Sequence, residues 1–214
     1  MLNLINTELE FFILCISTLL PLVNPLGITP IFLSMTEGYK SNDRILIAKK
    51  GAFIGTVTLI IFALFGSIIF SFFGITLEAF QIMGGIIFFR SGLNMLDAKV
   101  GRTRTTAQEQ EEFISANEIA YTPVGIPLIT GPGAITGALL LSGQTQSTFN
   151  FVTLIFSIIL VMLTVRFIFL GGDKITQRFG VTGMRIVQRI MGLILMVIAV
   201  QFVINGVTAV IRYM

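Results

Sequence analysis

Two short stretches hold the residues best placed to do chemistry. The first is LPLVNPLGITP, residues 20–30, which carries Pro21, Asn24, Pro25, Gly27 and Pro30 inside a long apolar run. The second is IPLITGPGAITG, residues 126–137, with Thr130, Gly131, Pro132 and Gly133. Proline removes a backbone donor and clashes with the preceding turn, so each stretch is expected to interrupt a helix. In the first, a helix can end near Val23, Asn24 can cap a second helix, and Pro25 can take its first position. In the second, Thr130 or Gly131 caps and Pro132 leads. A helix begun this way presents free N–H groups and about half a positive charge. Two such termini suit a small anion or a carboxylate. Carbonyls released before each break, around residues 20–23 and 126–129, can accept from an ammonium group. A small zwitterion meets both demands. A bare cation does not, because no Asp or Glu lies at that depth.

Helices that bury such a site need an apolar solvent. The chain has 214 residues, 54% of them hydrophobic and 12% charged, with a mean hydropathy of +0.92. A soluble domain carries about 25% charged residues. Six hydrophobic runs, at about 9–36, 47–72, 76–96, 118–142, 149–170 and 183–211, approach or exceed the ~20 residues that cross a bilayer. Backbone groups in hydrocarbon must be satisfied locally, so the runs are expected to be helices and the fold all-α and polytopic. The alternating ten-residue pattern of a membrane barrel is absent.

Other classes lack their machinery. The net charge is +3 and the pI about 9.3, but the basic residues flank hydrophobic runs and form no stripe with interleaved aromatics, so no nucleic-acid partner is expected. There is no histidine, and Cys15 is the single cysteine. That removes the commonest general base and metal ligand and leaves no internal disulfide. No enzyme, metal or cofactor is expected. An ion channel would call for intramembrane carboxylates, and none is central. An exporter or channel for another small solute or ion, or a non-transporting membrane scaffold, remains as an alternative.

Charge fixes an expected orientation. Lys40, Arg44, Lys49 and Lys50 follow the first run, Lys99, Arg102 and Arg104 the third, and Lys174, Arg178 and Arg185 the fifth. The loops at 72–76 and 142–150 hold no Lys or Arg. By the positive-inside rule, these three basic loops face the cytoplasm and both termini lie outside. The first run has no positive stretch before it and is expected to stay in the membrane.

The chain then divides into residues 1–97, a polar cytoplasmic linker at 98–117 and residues 118–214. The first helix of each half carries the breaker, and QIMGGIIF (81–88) aligns with RIMGLILM (189–196). Three spans is an odd number, so the second half must insert upside down, the inverted-repeat plan of many secondary transporters. Thr29 and the deep-lying Gln201 are candidates to line the pathway, with Thr136, Gln188 and Asn205 as further polar positions.

NPLGITPIF in the first helix, PVGIPLITGPGAITG in the fourth and RIMGLILMVIAVQFVINGV in the sixth resemble the MarC family, over nearly the whole chain. That family includes SnatA-type neutral amino acid transporters and is similar in its three-plus-three plan to the lysine-exporter-like group. The resemblance implies carriage of glycine- or alanine-like solutes, as in at least some members, across a prokaryotic cytoplasmic membrane. Proton and sodium are open as coupling ions, and a homo-oligomer is open as an assembly. By motif it assigns substrate contact to Asn24, Pro25, Gly27, Thr130, Gly131, Pro132 and Gly133. Many members have Arg before the Gly-Gly pair of the third helix, where this chain has Gln81. The matching Arg189 is present, and the two positions are candidates for coupling or gating.

Overall fold

The computed structural model describes residues 2–97 and 115–213, and every regular element among them is helical. In chain order these are α1 (Leu2–Val23), α2 (Pro25–Met35), α3 (Ser41–Phe73), α4 (Leu77–Leu96), α5 (Ala116–Ile119), a wide irregular turn of π type (Ala120–Ile129), α6 (Pro132–Gly143), α7 (Thr148–Leu170) and α8 (Gly172–Tyr213). Most of the polar linker expected at 98–117, with Lys99, Arg102 and Arg104, lies outside the described residues.

Loop chemistry sets the helix ends. The Thr76 hydroxyl accepts from the Ala79 N–H at 3.2 Å to start α4, and Ser147 does the same for Asn150 at 3.0 Å to start α7. Ser115 and Glu118 cap each other at the start of α5. These side chains satisfy donors that a helix terminus leaves open. Gly74, at φ 62°, ends α3 in the left-handed conformation that glycine adopts without strain.

Five segments are long and apolar enough to cross a membrane: Glu8–Met35, Ser41–Gly66, Leu77–Leu96, Thr148–Leu170 and Thr182–Arg212. Ala116–Ile129 and Pro132–Gly143 form a further pair bent by 65°. Packing shows that this pair crosses the bundle rather than turning back. Gly51 meets Val124, Gly55 meets Ile129 and Thr130, and Gly66 meets Leu139 and Ser142. The pair therefore keeps step with α3 over about 22 Å of helix rise. The Ser142 hydroxyl donates to the Ala63 carbonyl near the far end. Among the described residues the fold thus offers five candidate crossings and, in the bent pair packed along α3, a sixth.

α6 is the hub. From Thr136 to Ser142 every residue is buried, and a helix apolar all round belongs in an interior. Leu141 joins a cluster with Leu19, Phe32, Leu59 and Ile158, where the rings of Phe32 and Phe169 stack at 4.2 Å. Leu140 joins a second cluster with Phe88, Leu195 and Phe202. The outward faces are apolar as well, with Phe53, Phe167 and Val197 each about two-thirds exposed or more, as expected of lipid-facing positions.

α4 and α8 run antiparallel in close contact. Gly85 lies against Ala199 and Val203, Gly92 against Gly192 and Met196, and Gly206 against Glu78 and Ile82. Small residues let two membrane helices approach closely enough for dispersion to hold them. A Cβ on Gly192 would stand 2.8 Å from the Gly92 carbonyl oxygen, which is backbone and cannot swing aside. Gly192→Ala should therefore destabilise the fold by about 1–3 kcal/mol. The measurement is the melting temperature of the purified protein in detergent, and an unchanged value would refute this account of the packing.

The last helix departs from the expected 183–211. Helical structure already begins at Gly172, and Gly180 interrupts it at φ 63°, ψ 173°. Only glycine tolerates that region. Residues 172–179 thus form a separate piece laid on α2, where Gly172 meets Thr29 and Leu33.

Charge is segregated between the two ends of the bundle. At one end Arg44 pairs with Asp173 at 3.0 Å and donates to the Thr36 carbonyl at 3.2 Å. Lys50 donates to the Asn117 side chain at 2.6 Å. There burial, then the Glu118 and Asp43 carboxylates, push the Tyr39 phenol above its ordinary pKa. The opposite end carries Glu8, Glu10 and a group of side-chain amides.

Candidate functional site

The first break forms at Asn24, in the left-handed conformation at φ 49°, ψ 58°. It has the only positive φ among the described non-glycine residues. Asparagine is one of the few L-residues that visit this region readily. Its N–H closes α1 on the Leu20 carbonyl at 2.9 Å. Its side-chain oxygen accepts from the Gly27 N–H at 3.2 Å, and Pro25 opens α2. A Cβ on Gly27 would fall 2.6 Å from the Asn24 side-chain carbon, so the cap requires glycine at 27. The Thr29 hydroxyl donates to the Pro25 carbonyl at 2.7 Å and is fully buried.

The second break is longer than the TGP motif implies. Thr122 and Ile126 are extended, at φ −138° and −134°. Each precedes a proline, Pro123 or Pro127, and the residue before proline is pushed out of the helical region. The chain then reaches Thr130, whose N–H and hydroxyl both donate to the Gly125 carbonyl, at 3.2 and 2.9 Å. Thr130 is thereby turned back on its own segment. The N-cap of α6 is Gly131, which brings no side chain, and Pro132 follows.

The two breaks face each other through Leu22. That side chain lies 3.2 Å from where a Cβ of Gly133 would stand and packs along Gly137 as well, while Leu19 also reaches Gly137. α1 and α6 therefore run antiparallel here, and α2 and α6 each start at this level and lead away in opposite directions. Ser91 of α4 borders Gly133 from the side. The two termini are unequal. That of α2 is occupied by the Asn24 carboxamide, whereas that of α6 has no side-chain cap. The open donors are thus those of α6.

Of the expected contact residues, the structure gathers Asn24, Pro25 and Gly27 at one break and Thr130, Gly131, Pro132 and Gly133 at the other. Thr29 sits one turn into α2, against Gly172. Gln201 is not at the breaks. It is exposed on α8 and donates to Asn205 at 2.7 Å. Arg189 is exposed on the same helix. Gln81 lies elsewhere again, in a cleft of about 450 Å³ at the end away from the basic loops. Glu10, Gln144, Gln146 and Asn150 line that cleft too, and the buried Gln144 side-chain nitrogen has no hydrogen-bond partner among the described residues. Glu8 beside it accepts from Asn150 at 3.0 Å and Thr153 at 3.2 Å. This amide-rich end is not legible in the sequence because its residues come from α1, α4, α7 and the turn after α6, with no periodicity to connect them.

A family model described as MarC family integral membrane protein matches residues 9–211. The chain is 39% identical over 199 residues to the UPF0056 membrane protein MJ0972 of Methanocaldococcus jannaschii, covering 93% of this chain and 87% of that one. It is 38% identical to PH0760 of Pyrococcus horikoshii over 93% of this chain and 95% of the relative. It is 33% identical to YvbG of Bacillus subtilis over 91% and 92%. No solved structure matches it.

Proposed function

Because the chain belongs to the MarC family of integral membrane proteins, we propose that it is a secondary transporter that carries small neutral amino acids, glycine- or alanine-like, across a prokaryotic cytoplasmic membrane. The observation that carries this reading is the meeting of two interrupted helices whose second parts both begin at one level and lead to opposite ends. In this reading that level is the membrane midplane. Non-helical backbone is tolerated at membrane depth where protein encloses it or it lines a cavity, and transporters place their solutes at such breaks.

The substrate carboxylate is held by the N–H groups of Gly133 and Ala134 at the uncapped start of α6. Its ammonium group turns to carbonyls released before the breaks. A small side chain is favoured because Leu22 and Gly137 already press on each other beside the site. The antiparallel pairings of α1 with α6 and of α4 with α8 support an inverted repeat, and rocking of one half against the other would alternate access.

The basic loops face the cytoplasm and both termini lie outside, by the positive-inside rule. The amide-lined cleft is then the outer mouth. Between it and the breaks stands the cluster of Phe88, Leu140, Leu195 and Phe202, with Leu14 packed on its cleft side and Leu22 on its break side. That plug must part when the site opens outward.

The test is counterflow of labelled alanine and glycine in proteoliposomes, repeated with imposed proton and sodium gradients. Saturable exchange that unlabelled neutral amino acids compete away is the expected result. The gradient that drives net uptake identifies the coupling ion. Absence of exchange in correctly inserted protein would overturn the assignment.

A further inference from the structure

Gln201 and Asn205 form an exposed pair on α8, in a crossing segment that runs from Thr182 to Arg212. Their depth follows from the cations that bracket them. Arg189 and Arg212, both exposed, lie twelve residues before and eleven residues after Gln201. At 1.5 Å per residue the two are about 34 Å apart, close to the ~30 Å of bilayer hydrocarbon. Long cationic side chains reach for the headgroups. Gln201 therefore lies within the hydrocarbon, about two helical turns outward of the level of the breaks, and Val197, Val200, Ile204 and Val207 around it are all exposed.

A primary amide has two N–H donors and a carbonyl with two acceptor positions. The single bond from Gln201 Nε2 to Asn205 Oδ1 satisfies only part of that capacity, and among the described residues neither side chain makes another. Lipid tails offer no hydrogen bonds, so polar side chains at this depth face protein or water. The pair continues as a stripe, since Thr208 follows on the same face and is exposed. Beside it, Gly85, Ile86, Phe89, Val200 and Val203 line an apolar groove of about 260 Å³, the size of one or two aliphatic side chains.

We infer that this face of α8 is the interface with a second copy of the same chain. Two copies inserted the same way are related by a twofold axis along the membrane normal, which brings equal depths together. Gln201 then meets Gln201 and Asn205 meets Asn205. An amide is its own complement, because each donates one N–H to the other's carbonyl. The groove beside the stripe takes an aliphatic side chain from the partner helix. Hydrogen bonds between helices and close packing are the forces that associate helices in lipid.

The experiment is energy transfer between labelled full-length chains in phospholipid vesicles, followed as the protein is diluted into lipid. The wild type should pair, and Gln201→Leu with Asn205→Leu should need on the order of tenfold more protein per lipid to pair equally. Leucine suits a lipid-facing position, and retained helical circular dichroism verifies that this variant is folded. In a second measurement, Val197→Cys in a Cys15→Ala background should form an interchain disulfide on oxidation in the vesicles, while Phe53→Cys on α3 should not. A wild type that stays monomeric at every density, a double variant that pairs as tightly, or equal crosslinking from both cysteines would each overturn the inference.

Discussion

Gly133→Leu should abolish alanine counterflow while the protein still inserts and keeps its helical content. Gly133 is the second residue of α6, whose N-terminus has no side-chain cap. A leucine there projects from the turn whose N–H groups are proposed to hold the carboxylate. Its Cβ would stand 3.2 Å from Leu22 Cδ2, a flexible side-chain end that can yield, so the fold survives. The bulk beyond Cβ occupies the space in front of the donors. A hydrogen bond to a charged group contributes about 1.5–3 kcal/mol, and losing two of them lowers exchange by on the order of a hundredfold or more. The check is counterflow normalised to inserted protein. Rates within a few-fold of wild type would show that the solute is held elsewhere.

The second large effect is a contrast at Asn24. Asn24→Ala removes the oxygen that accepts from Gly27 and leaves a residue that disfavours φ 49°. Left-handed backbone costs roughly 1–2 kcal/mol for an ordinary L-residue, and loss of the cap adds about 1 kcal/mol. The expected destabilisation is therefore about 2–3 kcal/mol. Asn24→Gly loses the same oxygen but tolerates the conformation, and glycine at an N-cap costs only a few tenths of a kcal/mol. Melting temperatures of the two variants in detergent should separate clearly, with glycine near wild type. Equal losses would mean that the left-handed turn at 24 is not what shapes the break.

The contrast carries over to function. In Asn24→Gly the start of α2 loses its own carboxamide and becomes as open as that of α6. Its counterflow therefore reports whether the self-capped terminus takes part in binding. A raised apparent affinity would place solute at both breaks, and an unchanged one at α6 alone.

The sequence by itself determined the solvent, the helical class and the positions of the breaks. Runs of about twenty apolar residues leave helices as the economical way to satisfy the backbone in lipid. The breaks were legible because proline and glycine act locally. Asn24-Pro25 and Gly131-Pro132 carry their consequences in their own covalent geometry. The extended residues Thr122 and Ile126 belong to the same local chemistry, since each stands before a proline.

Only the tertiary structure decided where polar side chains go. Gln201 lies deep in an apolar run, and depth alone suggested a pathway. Azimuth, which depends on the face that α4 occupies, places it on the outside with Asn205. Gln81 pairs with Arg189 in the repeat alignment but stands in a cleft shared by α1, α4, α7 and the turn after α6. Asp173 finds Arg44 across 129 positions of chain, because Gly180 sets residues 172–179 apart and they lie on α2. Each of these facts depends on how one helix is rotated and docked against another. That is fixed by the glycine contacts of α4 with α8 and by the packing around α6, which a pattern within one segment does not encode.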